Sequence, residues 1–167
     1  MQIDLIDAIS AHKPILERLL QLYEHDNSEF FGADVGADGL YRVMDADALF
    51  QPGWRVFLME VDGRWAGFAI VTRHCSYVGA GETWLMDEFF VLRKYRRLGV
   101  GQHIADTLFD RFPGRWEISQ WPSNLPSQAF WRSVIGRYTD GRFEETFLDT
   151  TRIRGLVQAF ESTGERV

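Results

Sequence analysis

Apolar and polar residues change period several times along this chain, and each change marks an element. From Gln2 to Asp7 the two classes partly alternate, the pattern of a short half-buried strand. Ser10 suits a helix cap, and Pro14 is tolerated in a first turn. Ile15, Leu16, Leu19, Leu20, Leu22 and Tyr23 then recur at helical spacing. From Glu24 to Asp47 the pattern lapses. Glu24, Asp26, Glu29, Asp34, Asp38, Asp45 and Asp47 stand there against Arg42, and Gly32, Gly36 and Gly39 interrupt the run. This predicts a long acidic loop that begins at Glu24 and leads into a short helix around Gly39 to Phe50.

Strand-like runs follow at Arg55 to Val61 and Trp65 to Thr72, joined by Asp62-Gly63, a strong tight-turn signal. Glu82 to Leu92 is a third strand rich in aromatic and apolar residues. Val100, Ile104, Ala105, Leu108, Phe109 and Phe112 define one face of a helix over Gly99 to Phe112, stopped by Pro113-Gly114. Arg115 to Trp121 reads as a strand and Pro126 to Ile135 as a helix. Phe143 to Leu148 and Leu156 to Phe160 close the chain as strands. Three successive strands before the glycine-opened helix argue against a doubly wound parallel sheet. The expected class is α/β of the α+β kind, with a mixed, mostly antiparallel central sheet flanked by helices.

Totals narrow the function classes. At 167 residues the chain fits one domain over 1–167. A net charge of -6 repels phosphate backbones, so no nucleic-acid partner is expected. The single cysteine, Cys75, excludes an internal disulfide and agrees with a reducing compartment. No apolar run nears the ~20 residues of a membrane helix, and the acidic start Met1-Gln2-Ile3-Asp4-Leu5 is no signal peptide. The expectation is a cytoplasmic protein with no membrane partner. His12, His25, His74 and His103 lack metal-ligand spacing, so no metal is expected.

Against this acidic background, one stretch concentrates cations. Glu88-Phe89-Phe90-Val91 runs into Leu92-Arg93-Lys94-Tyr95-Arg96-Arg97, then into Leu98-Gly99-Val100-Gly101-Gln102 at a helix start. Unpaired amides and the dipole at a helix N-terminus attract phosphates, and glycines let the ligand approach. Local positive charge steers a polyanion even where net charge opposes it. Arg93 and Lys94 read more simply as solubility charges. A Rossmann turn would place a third small residue at Ile104, and a P-loop would need Gly-Lys-Ser/Thr where Gly101-Gln102-His103 stands.

Arg96-Arg97-Leu98-Gly99-Val100-Gly101 resembles the Arg/Gln-x-x-Gly-x-Gly/Ala signature of the GNAT superfamily of acyl-CoA-dependent N-acyltransferases, and the element order resembles that family over essentially the whole chain. The resemblance implies that the amides of Arg97 to Gln102 hold the CoA pyrophosphate. It implies that Phe89, Phe90 and Val91 lie beside pantetheine. Asn124 and Phe130-Trp131 resemble a second family motif, an Asn after the fifth strand followed by Phe-Tyr on a helix. Acetyl-CoA is the implied co-substrate, and a primary amine of a small molecule or peptide the implied acceptor. A homodimer is one assembly left open.

Acyl transfer needs a base for the amine, a donor for the oxyanion and a proton for the departing thiolate. A main-chain amide of Glu88 to Val91 suits the oxyanion. Glu88 is the candidate base, since burial on an apolar strand raises a carboxyl pKa. A structural carboxylate is the competing reading, and Asp87 is the rival base. Strand neighbours diverge, and a bulge common in the family leaves the parity open. Trp131 stands where relatives carry an acidic tyrosine, and indole is no practical acid. Tyr138 substitutes only if the chain bends back after Ile135. Trp84, Trp116 and Trp121 read as core or pocket wall, Cys75 as a buried or idle thiol, and His25-Asp26 as either a solvated loop or acceptor-site lining. The acidic loop hints at a cationic acceptor. The missing tyrosine motivates a second reading, a non-catalytic acyl-CoA-binding regulatory module. A nucleotide-binding protein is a third.

Overall fold

The computed structural model describes residues 1–164. Strands β1 (Ile3–Asp7), β2 (Trp54–Val61), β3 (Arg64–Cys75), β4 (Glu82–Val91), β5 (Gly114–Gln120), β6 (Glu144–Asp149) and β7 (Arg154–Ser162) join in one sheet. Their order is β1-β2-β3-β4-β5-β7-β6. Helices are α1 (Lys13–Phe31), α2 (Ala46–Leu49), α3 (Val100–Arg111) and α4 (Leu125–Tyr138). β1 runs antiparallel to β2, and β7 antiparallel to β5 and β6; β4 and β5 are parallel. The sheet is therefore mixed and mostly antiparallel, as the element order predicts. The chain forms two compact units, Met1–Ile70 with Glu88–Tyr95, and Val71–Asp87 with Arg96 onward.

In the N-terminal unit, Leu16, Leu19 and Leu20 of α1 pack with Val56, Leu58, Phe68, Ile70 and Phe90. The β2–β3 turn takes positive φ at Asp62 (49°) and Gly63 (69°), the pairing that suits the twist of a hairpin. α1 is longer than its apolar repeat predicts. It continues through Glu24 to Phe31 and ends at left-handed Gly32 (φ 66°). Asn27 is buried, Glu24 and Asp26 are half-buried, and Glu29 is exposed. The irregular segment thus starts eight residues later than expected, and His25 and Asp26 belong to the helix. α2 covers only Ala46–Leu49, capped by Asp45, whose side chain accepts from Asp47 N–H at 3.0 Å.

The C-terminal unit is held by aromatic rings. Phe109 of α3 meets Phe160 at 4.8 Å between centroids, Trp116 and Tyr138 at 5.1 Å, and Trp131 at 6.4 Å. Each such ring buries a large apolar area, worth about 1.5–3 kcal/mol when fully enclosed. α4 runs one turn past the predicted end and includes Tyr138.

Candidate active site

In the N-terminal unit, β4 ends with Glu88, Phe89, Phe90 and Val91. Leu92 N–H bonds Ala66 carbonyl at 2.8 Å. Gly67 is required beside it, because a Cβ there would run into the Phe90 carbonyl. Phe90 and Val91 are buried, and Phe89 and Glu88 are half-buried. The Tyr23 hydroxyl donates to Glu88 Oε2. The Tyr23 ring sits 5.5 Å from both Phe68 and Phe90. Burial first, then the Glu88 charge, push the Tyr23 hydroxyl well above the usual phenol range. Tyr23 therefore stays a donor, and its hydroxyl reaches Glu88 as a neutral group. Arg93 is a structural cation: its Nε and Nη2 both lie 2.9 Å from Asp26 Oδ1, on α1.

In the C-terminal unit, the signature turn has left-handed Arg97 (φ 62°) and Gly99 (φ 83°). Gly99 is the N-cap of α3, and its conformation disfavours any residue with a Cβ. No side chain caps the helix, and Arg96 to Gly99 are exposed. The space a Gly99 Cβ would enter is open to 4 Å. Amides at such a mouth bind anions through unpaired N–H groups and the helix dipole. The Gln102 side-chain amide is turned to Asp106, donating to its Oδ1 at 2.7 Å. Val100 is buried and Gly101 half-buried.

Asn124 is the N-cap of α4, its Oδ1 accepting from Ser127 N–H at 3.1 Å. Trp131 is buried at 4% exposure, 4.9 Å from the Phe130 ring. Tyr138 is no free substitute for the absent tyrosine. Its hydroxyl donates to Asp110 Oδ1 at 2.6 Å and sits 2.8 Å from Ser162 Oγ. Burial and the Asp110 bond push it up to about 12. The bend after Ile135 does not occur, because α4 continues unbroken.

The sequence gives no hint of a second polar cluster in this unit. Glu117 of β5 is fully buried. It accepts from Ser76 Oγ and from Tyr77 N–H at 2.9 Å, and His74 Nε2 lies 3.2 Å away. A buried carboxylate survives when donors surround it. Burial, outweighing the Glu117 charge, holds the His74 imidazole below its ordinary range. Glu117 thereby folds the β3–β4 connection and presents Tyr77. Arg152, in the β6–β7 loop, donates to Cys75 and Ser76 carbonyls at 2.5 and 3.1 Å and stacks 5.0 Å over the Tyr77 ring. Cys75 is exposed, contrary to a buried thiol. Trp116 is core as expected, and the Trp84 ring lies 4.9 Å from Phe112, whereas Trp121 is 58% exposed. Asp87 is half-buried, and burial alone raises its carboxyl pKa. The partners of Glu117 and Arg152 are 40 to 77 residues away in sequence, so no local motif announces them.

Residues 17–136 match the model of the acetyltransferase (GNAT) family, and the chain belongs to that family. Solved structures share the fold. An acetyltransferase from Thermus thermophilus is 13% identical over 96% of this chain and 97% of its own, with a TM-score of 0.66. Aminoglycoside acetyltransferase AAC(6')-Ib, in complex with coenzyme A, is 14% identical over 98% and 96%, with a TM-score of 0.65. The ribosomal-protein-S18-alanine N-acetyltransferase of Escherichia coli is 15% identical over 96% and 94%, with a TM-score of 0.56. No curated protein matches the sequence. Among the described residues, no group of His, Cys, Asp and Glu is arranged to hold a metal, and no helix is long and apolar enough to cross a membrane.

Proposed function

We propose that this chain is one N-acetyltransferase domain that moves an acetyl group from acetyl-CoA to a primary amine, directly and in the cytoplasm. The uncapped, glycine-opened mouth of α3 carries this reading. A diphosphate fits there, because Gly99 leaves space for it and the amides of Arg97 to Gln102 supply donors. Phe89, Phe90 and Val91, just upstream, would lie along pantetheine. In the reaction, the amine nitrogen attacks the thioester carbon. The C–N bond forms, the C–S bond breaks, and the thiolate leaves and is protonated.

A carboxylate of β4 takes the proton shed by the amine. Glu88 is the proposed base, its Oε2 steadied by Tyr23. Asp87 competes for the role, since its burial-raised carboxyl is a better base than an ordinary one. Solvent protonates the thiolate, because Tyr138 is tied to Asp110 and Ser162. The acceptor is an amine-bearing small molecule or peptide.

Acetyl-CoA titration and thiol release with an amine panel test the proposal. Gly99→Glu is expected to weaken acetyl-CoA binding at least about 100-fold, since a side chain and a like charge enter the cradle in a disfavoured conformation. Unchanged affinity removes the site. Glu88→Gln is expected to lower kcat by about 100-fold or more with little change in acetyl-CoA affinity. Equal turnover moves the role to Asp87. Tight CoA binding without turnover on any amine supports the regulatory-module reading instead.

A further inference from the structure

We infer that the acceptor is an amine that also carries a carboxylate, such as an amino acid, and that Asp87 and Arg152 around the Tyr77 ring recognise its two charges. The inference rests on the acetyltransferase reading and names the substrate class for it.

Asp87 and Arg152 are the two groups of this cluster whose charges are left over. Glu117 has its donors, as described above. Asp87 has no hydrogen-bond or ion-pair partner among the described residues, although it is half-buried. A carboxylate partly withdrawn from water without a partner is costly unless a ligand supplies the cation. Arg152 is the complement. Two main-chain carbonyls and the Tyr77 ring fix its guanidinium, yet none of these contacts neutralises it. No carboxylate lies within ion-pair distance of it among the described residues, and the side chain is exposed. A rigid, exposed guanidinium is suited to a carboxylate, which it binds by paired charge-assisted hydrogen bonds.

Tyr77 links the two. Its ring carries Arg152, and its hydroxyl lies in the field of Asp87, which pushes that hydroxyl's pKa up after burial does. The buried Glu117 holds the Tyr77 main chain at 2.9 Å, so the ring is placed before any ligand arrives. A ligand at this ring would meet the Arg152 cation on the ring and the Asp87 charge that acts on the hydroxyl. A plain diamine would set a cation against Arg152, and a simple alkylamine would leave Arg152 without its anion.

The test compares matched pairs that differ only in the carboxylate: lysine with cadaverine, alanine with ethylamine, and 4-aminobutyrate with propylamine. Rates are followed by CoA thiol release. Binding is followed separately, by ligand-observed NMR on the acetyl-CoA-free protein. The amino acid of at least one pair is expected to win by about tenfold or more in kcat/KM, carried mainly by KM. Arg152→Gln should collapse that ratio toward one, and Arg152→Lys should restore part of it. Asp87→Asn should weaken NMR-detected binding of the same amino acid without disturbing any hydrogen bond of the fold. Acetylation of amines with no preference in any pair, or a preference that survives Arg152→Gln, overturns the inference while leaving the acetyltransferase reading intact. Amino-acid binding by NMR with no acetylation of any amine sustains the recognition site and sinks the enzyme instead.

Discussion

In the N-terminal unit the Glu88 carboxylate takes the hydroxyl of Tyr23, whose ring is set against Phe68 and Phe90. In the C-terminal unit Glu117 takes a hydroxyl and a main-chain N–H, with an imidazole nitrogen close by. Both groups lie among apolar residues, but their surroundings differ. Glu117 is fully enclosed and its donors pin a connection between strands, which is structural work. Glu88 is half-buried, and the hydroxyl on its Oε2 comes from a tyrosine that burial keeps neutral. Asp87, also half-buried, has no donor among the described residues. What surrounds a carboxylate, rather than burial itself, sets what it can do: Glu117 holds the fold, and the proposed roles of Glu88 and Asp87 draw on their sparer surroundings.

The largest test of this contrast is Glu117→Ala. It strands the Ser76 hydroxyl and Tyr77 N–H without their acceptor, and should cost about 3 kcal/mol. That is a fall of about 6–12 °C in Tm for a chain of this size, read by thermal unfolding. A wild-type Tm would remove Glu117's structural role. Tyr23→Phe should cost less, about 1–3 kcal/mol, by taking a hydroxyl away from Glu88 beside aromatic rings. If Glu88 is the base, losing that donor also moves the acidic limb of the kcat profile to higher pH. A profile identical to wild type would separate Glu88 from the chemistry.

Asp87→Asn should be the mildest change in stability, and its size depends on pH. Burial raises the folded-state pKa of Asp87 above its ordinary value of 3.8. The protonated carboxyl is therefore the better tolerated form in the fold. Its favourable contribution is complete below the unfolded pKa and is lost as pH climbs through the folded one. The Asn variant should gain on wild type between about pH 4 and neutrality. Urea unfolding across that range measures the gain. A difference that does not change with pH would mean that Asp87 has a hidden partner.

Much of the chain is legible from periodicity and turn chemistry. The Asp62-Gly63 hairpin, the α3 face from Val100 to Phe112 and the glycine opening of that helix depend on near neighbours, and local pattern records them. The end of α1 is not legible in the same way. Acidic residues after Tyr23 look like a loop, yet the helix persists, because Asn27 is buried one turn on and Asp26 is taken up by Arg93. The Tyr138 bond to Asp110 and the Arg152 stack on Tyr77 join residues 28 and 75 positions apart, respectively, and no spacing rule reaches so far.

By itself, the sequence determined the order of elements, the mixed sheet and the glycine turn that opens α3, because strand alternation, helical repeat and glycine's access to positive φ act within a few residues. Only the tertiary structure decided how each carboxylate is surrounded, that Tyr138 is tied rather than free, and that an arginine from a distant loop lies over Tyr77. Hydrogen bonds and desolvation depend on what the folded chain brings within about 3 Å, and that distance is not written along the sequence.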